Sequence, residues 1–94
     1  MNRVDVILSE RELERLISVI DSSGAPGYSV ARHITGRGAH GLVASEALEV
    51  TGLGVNVHVV IFCEEPVTEA LRTALRPLLA YYGGVAFVST CEPI

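Results

Sequence analysis

The chain has 94 residues, a formal net charge of −4 from seven arginines and eleven acids, and 49% hydrophobic residues at a mean hydropathy of +0.41. A chain this short holds one domain whose core is marginal when it stands alone, so the apolar surplus reads as interface. The acidic balance argues against nucleic acid as a partner, and the complete absence of lysine excludes both a phosphate loop ending in Gly-Lys and a lysine Schiff base.

Arg3 to Leu8 alternates, with Val4, Val6 and Leu8 on one side and Arg3, Asp5 and Ile7 on the other, which predicts a half-buried first strand. Ser9 followed by Glu12 fits a capping box. Leu13, Leu16, Ile17 and Ile20 then recur at helical spacing, predicting a helix from about Glu10 to Ser22 that Gly24 ends. Gly24-Ala25-Pro26-Gly27 breaks regularity before a second strand, Tyr28 to Thr35, with Val30 and Ile34 inward.

Val55 to Cys63 is the most β-branched segment. Val57, Val59 and Ile61 lie on one face and Val60 and Phe62 on the other, so a central third strand buried on both faces is expected. Glu64-Glu65-Pro66 opens a second helix with an apolar stripe of Val67, Ala70, Leu71, Ala74, Leu75 and Leu78, kinked at Pro77. Tyr82-Gly83-Gly84 is a turn into a fourth strand, Val85 to Thr90.

This order, βαββαβ, is the ferredoxin-like split pattern, an α+β sandwich with helices on one sheet face and the other face left for a partner. The third and fourth strands, separated by the first, are expected to run antiparallel, which puts Cys63 and Cys91 at opposite ends of the sheet and excludes a disulfide. Two distant cysteines suit neither a disulfide framework nor a zinc site, and reduced thiols are expected. The apolar runs are too short to span a bilayer, and Met1 to Glu10 has no secretory hydrophobic region, so a cytoplasmic protein without membrane insertion is expected.

Gly36 to Gly54 is the segment without a structural reason. It spans nineteen residues where a hairpin needs two to five, and it holds five of the nine glycines. A mobile, regulatory loop is expected over 36–54, with room for a short helix at Ala44 to Val50. Thr35-Gly36-Arg37-Gly38-Ala39-His40-Gly41 joins glycines, whose amides can approach an anion, to an arginine that can fork onto phosphate oxygens. Taken alone, a flexible turn beside a solvated arginine explains it as well.

Gly24-Ala25-Pro26-Gly27-Tyr28-Ser29-Val30 after the first helix, Thr35-Gly36-Arg37-Gly38 opening the loop, Asp5-Val6-Ile7 in the first strand and Tyr81-Tyr82-Gly83-Gly84 before the last resemble the PII signal-transduction family. The nearest likeness is to PII-like proteins of bacterial inorganic-carbon uptake, the carboxysome-associated and bicarbonate-transporter-associated members. The resemblance implies a single PII-like domain over residues 1–94, a homotrimer, and a non-enzymatic sensor with nucleotide sites in the clefts between subunits. It also implies no covalent cofactor. Carried over by position, Ile7, Ile61 and Phe62 wall the base pocket; Gly27, Tyr28 and Ser29 offer backbone and hydroxyl contacts; Gly36, Arg37 and Gly38 meet phosphate, with Gly83 and Gly84 completing the set.

The departures from the family pattern narrow the ligand. The connection before the last strand lacks the family's longer glycine-rich loop with its lysine, and no arginine-bearing segment follows at Ile94, so AMP or ADP is expected over ATP. No tyrosine lies between Arg37 and Val55 for uridylylation, which disfavours a nitrogen-regulatory member. Bicarbonate is the implied second ligand, with Arg37 and His40 as its candidates, and the implied protein target is a bicarbonate transporter or carboxysome component.

No metal site is expected, because His40 and His58 have no second ligand at suitable spacing. His33, Arg32, Arg72 and Arg76 read as surface residues and Tyr81 as a packing residue, with Tyr82 less decided. An acylphosphatase-like enzyme needs an arginine loop where this chain has only Ser9-Glu10, a metallochaperone needs Cys-x-x-Cys there, and an RNA-recognition domain needs exposed aromatics on the first and third strands. A ferredoxin-like trimer of the divalent-cation-tolerance type binding metal, or a nitrogen-regulatory PII protein, remains the alternative on the same architecture.

Overall fold

The computed structural model describes residues 1–35, 37–38, 41–42 and 55–94. The elements are β1 (Asn2–Ser9), a 3-10 turn (Glu10–Glu12), α1 (Leu13–Ser22), β2 (Ser29–Ile34), the two-residue strands β3 (Arg37–Gly38) and β4 (Gly41–Leu42), β5 (Asn56–Cys63), α2 (Glu65–Tyr82) and β6 (Val85–Thr90). The four long strands form one antiparallel sheet in the order β2-β5-β1-β6, and β3 and β4 pair separately as a small hairpin. This is the expected ferredoxin-like α+β architecture.

Alternation decides which face is buried. Val4, Val6 and Leu8 of β1 and Val57, Val59, Ile61 and Cys63 of β5 point to the helices, where they meet Leu13, Leu16 and Ile20 of α1 and Leu71 and Leu75 of α2. The opposite face carries Arg3, Asp5 and Ile7 beside His58, Val60 and Phe62, with β6 contributing Val85 and Phe87. Phe62 is 46% and Phe87 64% exposed, so the strand expected to be buried on both faces is buried on one and open on the other.

Cys63 and Cys91 require a second correction. Asn2 stands opposite both Cys63 and Thr90, so β5 and β6, each antiparallel to β1, are parallel to one another and end together. What separates the thiols is β1 itself: two inter-strand spacings are about 9–10 Å, beyond the reach of a disulfide. Both cysteines are free.

β1 runs straight into the 3-10 turn, and Ser9 Oγ accepts from the Arg11 amide at 3.4 Å while Glu12 pairs with Arg15, so the expected capping box does not form. α2 opens with its Val67 and Thr68 amides on the Glu64 carbonyl, continues through Pro77, and closes where the Gly83 amide donates to the Leu79 carbonyl at 2.8 Å. Among the described residues no helix is long and apolar enough to cross a membrane. The possible helix at 44–50 lies outside the described residues, as does most of the 36–54 loop.

Candidate functional site

The two ends of the long connection are held by one residue, Glu10, through its backbone at one end and its side chain at the other. The Glu10 amide donates to the Val55 carbonyl at 2.9 Å, and its carboxylate accepts from Arg32 Nε at 2.7 Å and stands 3.6 Å from His33 Nδ1. Pairing of β2 with β5 is regular from Ser29 to Ala31 and shifts register before Ile34. His33 occupies the left-handed region there, at φ 59°, which turns its ring toward Glu10. Arg32 and His33, expected as surface residues, therefore help fasten the loop base, and Glu10 had no sequence signal beyond its acidity.

At the same end of the sheet, the turn between α2 and β6 presses against β1. Gly84 has φ 105°, and a side-chain carbon there would stand 2.7 Å from the Ile7 carbonyl oxygen and 2.8 Å from Leu8 Cβ. Gly83, at φ 84°, shares the left-handed requirement. Of the candidate residues, Ile7 and Gly84 are thus in close contact, and Gly83 adjoins Gly84 in the turn.

The remaining candidates are dispersed within one chain. Ser29 pairs with Val60, so Gly27 and Tyr28 lie beyond the end of β2 that is far from Thr35, and the strand between, Ser29 to Ile34, is about 17 Å long at strand rise. Arg37 and Gly38 are placed by their backbone pairing with Leu42 and Gly41, whereas Gly36 and His40 lie outside the described residues. Phe62 is on the open sheet face. Ile61 is fully buried in the core on the helix side, the opposite face from Ile7 and Phe62, so it cannot wall a pocket with them. No single chain assembles the whole set.

One polar cluster on the open face escaped the sequence. Asp5 accepts from Arg3 Nε at 3.0 Å and Nη2 at 3.0 Å, and His58 Nε2 lies 2.7 Å from its Oδ1. The hydrogen bonds from Arg3, then that from His58, hold the Asp5 carboxyl below the usual carboxylate range against the opposing effect of burial. Arg3 also stacks over Phe62, 5.9 Å from the ring centre. Tyr81, expected as a packing residue, is 80% exposed, while Tyr82 lies beneath Arg15 with 4.6 Å from guanidinium to ring centre.

The sequence profile of the family described as Nitrogen regulatory protein P-II matches residues 1–94, the whole chain. The chain belongs to the P-II family. That membership takes the place of the divalent-cation-tolerance alternative.

No curated protein sequence matches the chain. Among solved structures, the P-II fold seen here is similar to CPII, a nitrogen regulatory PII-like protein from Thiomonas intermedia K12, bound to ADP, AMP and bicarbonate. The TM-score is 0.83 at 22% identity, over 94% of this chain and 82% of that one. CPII bound to ADP, AMP and acetate matches at TM-score 0.76 and 21% identity over 93% and 81% of the two chains, and its apo form at 0.74 and 17% over 94% and 85%. At these identities the likeness is one of fold.

Proposed function

We propose that this P-II protein is a regulatory sensor, not an enzyme, that binds an adenine nucleotide in clefts between the copies of a homotrimer. AMP and ADP are its ligands in preference to ATP, with bicarbonate as a second ligand and no covalent cofactor. The observation that carries this reading is the family match over the whole chain, supported by CPII, a protein of the same fold bound to ADP, AMP and bicarbonate.

Two features of the chain agree with it. The candidate set is split between the Ile7–Gly84 contact on the β1–β6 side of the sheet, the Gly27-Tyr28-Ser29 segment at its β2 edge and Arg37 on the separate β3–β4 hairpin, which suits a site completed by a neighbouring copy. The absence of lysine leaves Arg37, hydroxyls and glycine amides to meet phosphate, a smaller cationic complement than a triphosphate needs. In this reading residues 1–94 are one domain. Ligand orders the 36–54 segment, with Arg37 and His40 offered to bicarbonate, and that segment signals to a cytoplasmic face of a target such as a bicarbonate transporter or a carboxysome component, in control of inorganic-carbon uptake or fixation.

Calorimetric titration with AMP, ADP, ATP and cyclic AMP, with and without bicarbonate, tests it. Saturable heat from AMP or ADP, with ATP weaker, is expected; heat from none of them removes the sensor reading. Arg37→Ala is expected to weaken nucleotide binding, and an unchanged affinity removes the phosphate role of Arg37 alone.

A further inference from the structure

Asn56, the first residue of β5, is 2% exposed, yet its Oδ1 is shut off from water and accepts no hydrogen bond. Folded proteins avoid this at nearly every buried acceptor, because the oxygen has given up its water and received nothing in return. The other buried polar side chain among the described residues, Thr68, shows the usual state. Its Oγ1 accepts from Asn2 Nδ2 at 3.0 Å and donates to the Glu64 carbonyl at 3.1 Å.

Asn56 precedes Val57, whose side chain lies in the helix-side core, so Asn56 shares the opposite face of the sheet with His58. Ser9 of β1 and Ile34 of β2 stand opposite it, Ile7 lies on the diagonal, and the Val55 carbonyl just before it takes the Glu10 amide. The unpartnered oxygen is thus at the end of the sheet where the loop base is fastened and where Gly84 packs on Ile7. Of the base-pocket candidates on this face only Ile7 is near. Phe62 is six residues along β5, about 20 Å at strand rise, and Gly27 and Tyr28 lie beyond the far end of β2.

What the oxygen lacks is a donor, and most of the anions at issue have none to give. A phosphate monoester loses its last proton near pH 6, about one unit below neutrality, and then only accepts. Formate and acetate, as ionised carboxylates, also only accept. Bicarbonate differs from them in carrying one O–H. From the buried acceptor, the face it is on and its place at the loop base, the geometry points to Asn56 as a binding residue that selects bicarbonate by accepting its hydroxyl hydrogen. The inference rests on the proposed function, in which bicarbonate is the second ligand and Arg37 meets its charge. Asn56 supplies what an arginine cannot. Arginine has donors only and treats small oxyanions alike, whereas an acceptor without a partner favours the anion that brings a proton and disfavours one that turns a lone pair toward it. A neutral amide does this without the repulsion that a carboxylate would add.

The test is calorimetric titration of the full chain saturated with AMP, using sodium bicarbonate and sodium formate in buffer stripped of carbon dioxide. Bicarbonate should bind about tenfold or more tightly than formate. Asn56→Leu should erase that preference by weakening bicarbonate and not formate. Without ligands it should be at least as stable to urea as the unaltered protein, because it removes an acceptor that nothing satisfies. The inference is overturned, with the nucleotide reading left standing, if formate matches bicarbonate in the unaltered chain, if bicarbonate gives no heat, or if Asn56→Leu keeps the preference. A variant that loses affinity for AMP but not for inosine monophosphate assigns the oxygen to the adenine amine instead. A variant less stable without ligand shows that the chain itself satisfies the oxygen, and this too overturns the inference. AMP that gives no heat removes the proposed function and this inference with it.

Discussion

Gly84 and Asp5 show how much a single position can carry in a domain this small. A methyl group at Gly84 meets the Ile7 carbonyl at 2.7 Å on a backbone at φ 105°, so both clash and conformational strain oppose it. Gly84→Ala is expected to cost about 1–3 kcal/mol in urea denaturation. Gly27→Ala, where nothing lies within 4 Å and φ is not positive, should leave stability near that of the unaltered protein. Equal effects at the two positions would mean that the Ile7 contact is not what fixes the turn. Asp5 makes a pH prediction. Its folded carboxyl is held below the ordinary range, chiefly by hydrogen bonds from Arg3, so the unfolded chain takes up this proton more readily than the folded one. The stabilisation is therefore complete above the unfolded carboxylate pKa, about 3.9, and drains away as pH falls through the lower folded value. Denaturation of Asp5→Asn against the unaltered protein from pH 7 to pH 3 should show a gap that narrows only at the acid end. The alternation of β1 put Asp5 on the outer face, but its pairing with His58 was hidden, because the two meet only through the β1–β5 register, which sequence spacing does not contain.

At the level of elements, periodicity located every strand and helix of the main sheet to within a residue or two, because each buries one apolar stripe and polar or glycine residues mark its ends. It failed where direction or a partner mattered. Cys63 and Cys91 end up on the same side because two strands that flank a common antiparallel neighbour are parallel, a relation of topology and not of composition. The Ser9–Glu12 capping box was displaced because β1 enters the 3-10 turn without a loop, leaving Ser9 nearest the Arg11 amide. The fastening at the loop base was equally illegible, since Glu10 and Arg32 are brought together by β2 lying against β5 and not by proximity in sequence. Arg32 and His33 are largely exposed, so Glu10→Ala should change global stability by less than about 1 kcal/mol. Its effect belongs to the end of β2: hydrogen exchange at the Ile34 amide should accelerate while Val6, in the centre of the core, keeps its protection. If both amides keep their protection, the β2–β5 pairing holds the loop base without Glu10.

For the whole molecule, the surplus of apolar residues counted in the sequence has a location: the sheet face opposite the helices, where Phe62 and Phe87 are 46% and 64% exposed around the Arg3–Asp5–His58 cluster. How that surplus is covered is not legible in one sequence, because any contacts that absorb it lie outside a single chain. The cluster suits a face that becomes covered, since Asp5 is already satisfied by Arg3 and His58 and needs no charge from a partner. A carboxylate at position 87 stands directly opposite Asp5, whose own charge already engages Arg3 and His58, so covering this face would bury it against a like charge. Phe87→Glu is therefore expected to lower the mass measured by light scattering toward that of a single chain while circular dichroism keeps the same helix and strand content, because Phe87 contributes nothing to the helix-side core. Nucleotide affinity should fall with the mass if the site is shared between copies, and raising the protein concentration should recover both together. A variant that loses assembly and still binds nucleotide as tightly would place the site within one chain; one that keeps its mass would assign the assembly to another surface.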